Sequence, residues 1–277
     1  MLGKLIKHEF RATARIMLPV MGALLALAVL ANLSLIGLTG GMEEITALRI
    51  LFVLIVIFFG IGIVVTAVMA IVIMVSRFYR NLLKDEGYLM FTLPVNVHEL
   101  IWSKLIVSLL WFLATALLIC LVMTITVMNL SNTNLEMIIE GLPSLTEIRG
   151  KLIEYGILGQ VNMMIFQAFL MAFLVALMTC LHFYAAMALG HMFSRNKIML
   201  SVVFFVGISF AFNVMRMAFG AVGIGIFEPE LMDNASSLEG LRFISAVFWH
   251  GIALSAVQSA VLYLATALGL KRGLNLE

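Results

Sequence analysis

Between two long apolar runs lies the stretch RFYRNLLKDEGYLMFTLPVNVHELIWSK, Arg77 to Lys104, which mixes Arg, Lys, Asp and Glu with Tyr, Leu, Met and Phe. Its core, DEGYLMFTLP, packs Tyr88, Leu89, Met90, Phe91 and Leu93 into a short piece opened by Asp85 and Glu86 and closed by Pro94. Such a composition is suited to recognition. The acids favour the positive end of a short helix, Gly87 is a natural stop for an incoming helix, and Pro94 disfavours helix at Thr92 and Leu93. Asn96 and Glu99 then have the spacing of a capping box, so a new helix is expected from about residue 97. The sum is two helical stalks joined by a compact apolar knuckle. Two roles suit it: insertion into a groove on another protein, or rest on the inner leaflet of a membrane as an amphipathic piece.

Groups able to run a reaction are sparse. No G-x-x-x-x-G-K-[ST] occurs, and RGK at 149–151 lacks the earlier glycine, so the chain does not build a phosphate-cradling loop of its own. H-E-x-x-H and G-x-S-x-G are also missing, which leaves a hydrolase unsupported. His182, His250, Gln160, Asn162, Gln167, Asn213 and Gln258 fall inside apolar runs. Polar groups there are either functional or bonded to a neighbouring helix, the latter being commoner. No acid is expected to be buried in a span, which weighs against a proton- or sodium-coupled carrier. Cys120 and Cys180 have no CxxC or Cys/His spacing and read as small core or lipid-facing residues, with no metal site. The twenty Met and twenty Phe either line an apolar path or pack against lipid and one another.

The elements that must position these groups are membrane spans. The chain has 277 residues, of which 63% are hydrophobic and 12% charged, and its mean hydropathy is +1.14. A soluble domain carries about a quarter charged residues. At about 20 apolar residues per crossing, spans are expected at 16–38, 50–75, 105–129, 159–190, 198–214 and 243–270. Six crossings put both ends on one side. That side holds 12 of the 17 Lys and Arg, including Lys4, Lys7, Arg11, Arg15, Arg77, Arg80, Lys84, Lys104, Arg195 and Lys197, while the other holds ten of the fifteen acids. The positive-inside rule makes both termini and the 77–104 loop cytoplasmic. The net charge of +2 is too small to argue for nucleic acid.

Two regions invite finer reading. In MLGKLIKHEFRATAR, Leu2, Ile6, Phe10 and Ala14 recur every four residues with Lys and Arg over the remaining surface, which predicts an amphipathic helix on the inner leaflet. The apolar run that follows lacks a cleavage pattern at its end and reads as a retained first span. After residue 198 a continuous span would include Arg216, at a cost of about 2.5–3.5 kcal/mol for a central charge. Ending the span near Val214 lets Arg216 snorkel to the outer interface and makes 217–227 a short re-entrant or interfacial segment. The alternative is a single long tilted helix.

The segment FYRNLLKDEGYLMFTLPVNVHELIWSK resembles the first cytoplasmic loop of ABC-2 type transporter permeases, particularly the small six-span subunits of bacterial ABC exporters. The opening MLGKLIKHEFRATARIMLP is similar to the amphipathic connecting helix and first span of those subunits. The resemblance implies an all-α integral membrane fold in the bacterial plasma membrane. Its loop would be a coupling helix that docks on a separately encoded ATPase through Asp85, Glu86, Gly87, Tyr88, Leu89, Phe91 and Thr92, with Leu93 and Pro94 shaping the turn. It also implies pairing with a second permease subunit, as homo- or heterodimer. ATP and Mg would be bound and hydrolysed by the partner ATPase, with no cofactor in this chain. The alternative reading is a non-transporting sensor or scaffold whose loop binds a cytoplasmic partner.

Overall fold

The computed structural model describes residues 2–39, 46–84, 95–130, 145–193, 196–226 and 237–272. These form seven helices: α1 (Leu2–Thr39), α2 (Thr46–Leu82), α3 (Val97–Leu130), α4 (Leu145–Glu154), α5 (Leu158–Gly190), α6 (Lys197–Ile226) and α7 (Ser237–Arg272). All but α4 are long and apolar enough to cross a membrane, six candidate spans in all. In hydrocarbon a helix is favoured because every backbone N–H and C=O is satisfied within the segment, and that outweighs the many β-branched residues of α2. The chain reads as a multi-pass membrane protein.

Three local features differ from the sequence expectations. The N-terminal amphipathic stretch is not a separate element, because α1 runs unbroken from Leu2 through Pro19 to Thr39. Glu9, Thr13 and Met17 are buried in it, whereas Phe10, on the stripe expected to face the leaflet, is exposed. α6 passes the expected stop at Val214 and continues to Ile226, so 217–226 is the direct extension of the fifth span. The long-helix alternative describes these residues. Residue 227 lies outside the described set. α4 was not foreseen, and it closes on a Schellman arrangement in which Gly156 N–H donates to the Ile153 carbonyl and Ile157 N–H to that of Leu152. Gly156 has φ +67°, a conformation open to glycine without strain.

The loop-bearing helices extend beyond their spans as expected, while the expected stop at Gly87 lies outside the described residues. α2 extends to Leu82, and α3 starts at Val97 with the Asn96 carbonyl accepting from the N–H groups of Glu99 and Leu100.

The chain falls into two compact units. Unit 1 comprises Met1–Arg77 and Trp102–Pro143 and unit 2 comprises Phe78–Ile101 and Ser144–Glu277, so the division passes through α2 and α3. In unit 1, α1, α2 and α3 meet in two apolar clusters, one of Met17, Ala70, Ile73, Val107 and Trp111 and one of Leu24, Ala28, Ala31, Phe59 and Val122. In unit 2, α5 packs against α6 and α7. Small residues allow the close approaches there: a Cβ on Gly190 would lie 2.6 Å from Cα of Ser201, and one on Gly269 would lie 3.0 Å from Cβ of Ala188.

Candidate functional site at the loop-bearing helix ends

Asp85, Glu86, Gly87, Tyr88, Leu89, Phe91, Thr92, Leu93 and Pro94 lie outside the described residues. The helix ends that carry them are described, and both belong to unit 2. On α2, Phe78 is fully buried and stacks on Tyr184 of α5, with ring centroids 4.0 Å apart and planes 11° from parallel. Tyr79 meets the ring of His191 edge-on at 5.4 Å, and Lys84 Nζ lies 5.5 Å from the centre of the Tyr79 ring. His191 Nδ1 is 2.8 Å from the Met187 carbonyl. A carbonyl only accepts, so Nδ1 carries the proton. Burial, assisted by the nearby Lys197 charge, holds His191 below the ordinary imidazole range despite that hydrogen bond. The ring is therefore neutral near pH 7, as its packing requires.

On α3, His98 Nδ1 is 2.7 Å from the Tyr263 hydroxyl of α7, and Lys271 Nζ is 3.3 Å from His98 Nε2. An ammonium only donates, so Nε2 is the acceptor and Nδ1–H points to the tyrosine. Each end of the loop is thus tied to a different helix of unit 2, by rings on α5 and by polar contacts on α7. This arrangement fixes the two helix ends. Among the described residues no group of three or more His, Cys, Asp or Glu could hold a metal ion.

Unit 1 contains a charged cluster that the pattern of residue types did not reveal. Glu9 of α1 is 4% exposed, and its two oxygens accept from different helices, Oε1 from Lys104 Nζ of α3 at 2.7 Å and Oε2 from Arg77 Nη2 of α2 at 3.1 Å. Lys104 is as buried as Glu9. Beside them Trp111 Nε1–H donates to Thr13 Oγ1 at 2.8 Å, and Phe10 stacks on the Trp111 ring. None of the expected spans contains an acid, but Glu9 lies on the same continuous helix as the first of them. The signal available in the sequence was a single acid among four cations, Lys4, Lys7, Arg11 and Arg15. Lys104, expected as a loop charge at the membrane surface, is instead the buried partner. Removing one member of such a buried pair leaves an uncompensated charge, at about 3–5 kcal/mol.

The polar residues inside the spans of unit 2 mostly bond to neighbouring helices. Gln167 Nε2 donates to the carbonyl and hydroxyl of Ser245, and Gln160 Nε2 reaches the Leu241 carbonyl. His182 Nε2 is 3.1 Å from both the Phe205 carbonyl and the Ser209 hydroxyl. Asn213 bonds only within its own helix, to the Ser209 carbonyl, and Asn162 and His250 are exposed. Arg216 does not follow the expected path to an interface alone: its guanidinium binds Gln258 Oε1 of α7 and Met178 Sδ of α5. Cys120 is exposed and Cys180 buried, both as free thiols. No protein-family model matches the chain, and no curated protein or solved structure does either.

Proposed function

We propose that the chain is the membrane-spanning permease subunit of an ATP-binding cassette exporter. In this reading it moves a substrate outward by alternating access while a separate ATPase subunit binds and hydrolyses ATP with Mg. The observation that carries it is a pair of apolar helices, longer than a bilayer needs, that flank the stretch 85–94. α2 has 37 residues and α3 has 34, whereas about 20 cross the hydrocarbon. The surplus of α2 projects on the loop side, where Phe78 and Leu82 are buried. A push on the knuckle by a partner would move both helix ends. The Phe78–Tyr184 stack and the His98–Tyr263 contact would pass that movement to α5 and α7. The resemblance of residues 78–104 to permease coupling loops names the partner as an ATPase and adds a second permease subunit to the assembly.

The reading places the protein in the bacterial plasma membrane, with both termini and the loop cytoplasmic, and assigns docking to Asp85, Glu86, Gly87, Tyr88, Leu89, Phe91 and Thr92 on a turn made by Leu93 and Pro94. The test is co-purification of a partner ATPase from cells carrying Glu86→Lys or Leu89→Asp, compared with wild type. Assembly or ATPase stimulation should be lost with normal membrane insertion. Full retention of both would remove the coupling assignment. For orientation, a Glu140→Cys protein should react with an impermeant thiol reagent added outside intact cells; labelling only after lysis would invert the topology.

A further inference from the structure

Arg216 lies about 28 Å along α6 from Lys197, on an apolar helix whose exposed residues include Phe210, Val214, Met217 and Phe219. A guanidinium has five N–H donors. Nε and Nη2 both donate to Gln258 Oε1, at 3.3 and 3.1 Å, and Nη2 also reaches Met178 Sδ at 3.1 Å. The two Nη1 protons have no acceptor among the described residues. Both groups that hold the arginine are neutral, so its charge is oriented and not compensated. Gln258 is wholly buried, and its amide nitrogen faces Met215 Sδ at 3.8 Å, which turns Oε1 toward the guanidinium. A buried amide thus occupies the Nε/Nη2 edge of an exposed arginine and leaves the Nη1 protons available.

An uncompensated guanidinium on an apolar surface favours an anion, and phosphate oxygens match its donors. A soluble ion gains nothing from the exposed apolar residues between Lys197 and Arg216, such as Val202, Val206 and Phe210, whereas an amphiphile lays its chains along them. Depth agrees with this choice. With the hydrocarbon core about 30 Å thick, a helix whose Lys197 lies at one interface brings Arg216 to the headgroup level of the opposite leaflet.

We propose that Arg216, oriented by Gln258, binds the anionic headgroup of a phosphate-bearing amphiphile. The site does not depend on the permease reading, because it is tested by binding in the absence of any ATPase.

The full chain in phosphatidylcholine nanodiscs, titrated with phosphatidylglycerol, is followed by native mass spectrometry and by the thermal unfolding midpoint. The wild type should retain phosphatidylglycerol and be stabilised by it. Arg216→Gln should weaken binding about tenfold, the loss expected for one charge-assisted contact. Arg216→Lys, which keeps the charge without the planar donors, should fall between the two. Gln258→Leu removes only the orienting amide and should also weaken binding, so a misfolded Arg216→Gln protein does not end the test. Wild-type retention in Arg216→Lys and Gln258→Leu would overturn the site. In a parallel arm, inorganic phosphate in pure phosphatidylcholine nanodiscs should give no shift. A shift equal to that of phosphatidylglycerol would overturn the amphiphile assignment in favour of a free anion.

Discussion

In unit 1 a buried carboxylate, Glu9, bridges cations from two other helices, whereas unit 2 joins its helices with rings, neutral amides and glycines. The second polar tie of unit 1 is at the far end of α1, where Asn129 Nδ2 donates to Asn32 Oδ1 at 2.7 Å and Asn32 Nδ2 reaches Thr126 Oγ1 at 3.3 Å. Glu9 and Asn32 are about 35 Å apart along the helix, and the two apolar clusters lie between them. Ties of this kind set register, since a one-residue slip of α1 would strand a charge. Unit 2 sets register by shape, through Gly190 against Ser201 and Gly269 against Ala188. The difference teaches that burying a charge makes a contact nearly all-or-none, while neutral packing fails by degrees.

The sharpest way to break that contrast is Glu9→Gln, which leaves Lys104 buried opposite a neutral amide. A loss of about 3–5 kcal/mol is expected, read as the unfolding midpoint in denaturant in detergent micelles. The double variant Glu9→Leu/Lys104→Met should recover most of it, because Arg77 is partly exposed and can turn to water. If single and double variants are equally unstable, packing rather than charge holds this end of unit 1. Next in size is Gly190→Ala, whose new methyl meets the backbone of Ser201; about 1–3 kcal/mol should be lost. Gly269→Ala, opposed by the Cβ of Ala188, should cost less in the same assay, and the reverse order would contradict the register argument.

Phe78→Leu keeps an apolar side chain but ends the stack on Tyr184, with an expected loss of about 0.5–1.5 kcal/mol beyond the lost area. Wild-type thermal stability would mean that the stack does not hold the helix end. Smaller still is Asn129→Ala, for which interhelical hydrogen bonds in membrane proteins suggest about 0.6 kcal/mol.

A pH titration sharpens the comparison last. His191 has a folded-state pKa below its unfolded value, so the unfolded chain binds the proton first. Unit 2 should keep this contribution above pH ~6.5 and lose it as pH falls, with the slope ending once the folded histidine is itself protonated. Differential thermal scans of wild type and His191→Asn should diverge only on the acid side.

Much of the fold was legible because membrane spans are written in runs. The six long helices, the extension of α2 past Phe78 and the start of α3 at Val97 all follow from apolar length or an asparagine cap. The site was legible only in part. The stretch 85–94 stands out by composition, yet the residues that hold the flanking helix ends do not: Tyr184, His191 and Tyr263 lie 106 to 165 residues from Phe78, Tyr79 and His98, and nothing in their own surroundings marks them. The stripe Leu2, Ile6, Phe10 and Ala14 of the first fifteen residues reads as the leaflet-facing side of an amphipathic helix. Glu9 gives no sign of burial in that pattern, because the cations that make it favourable, Lys104 and Arg77, come from other helices.

By itself the sequence determined the six long apolar helices and which side of them is rich in basic residues, since hydropathy and charge act locally and need no partner. Only the tertiary structure decided that Glu9 faces inward, that α6 continues past Arg216 and that Gln258 holds that arginine. A charge in an apolar helix is tolerated or excluded according to what stands opposite it, and what stands opposite is fixed by packing between segments far apart in the chain.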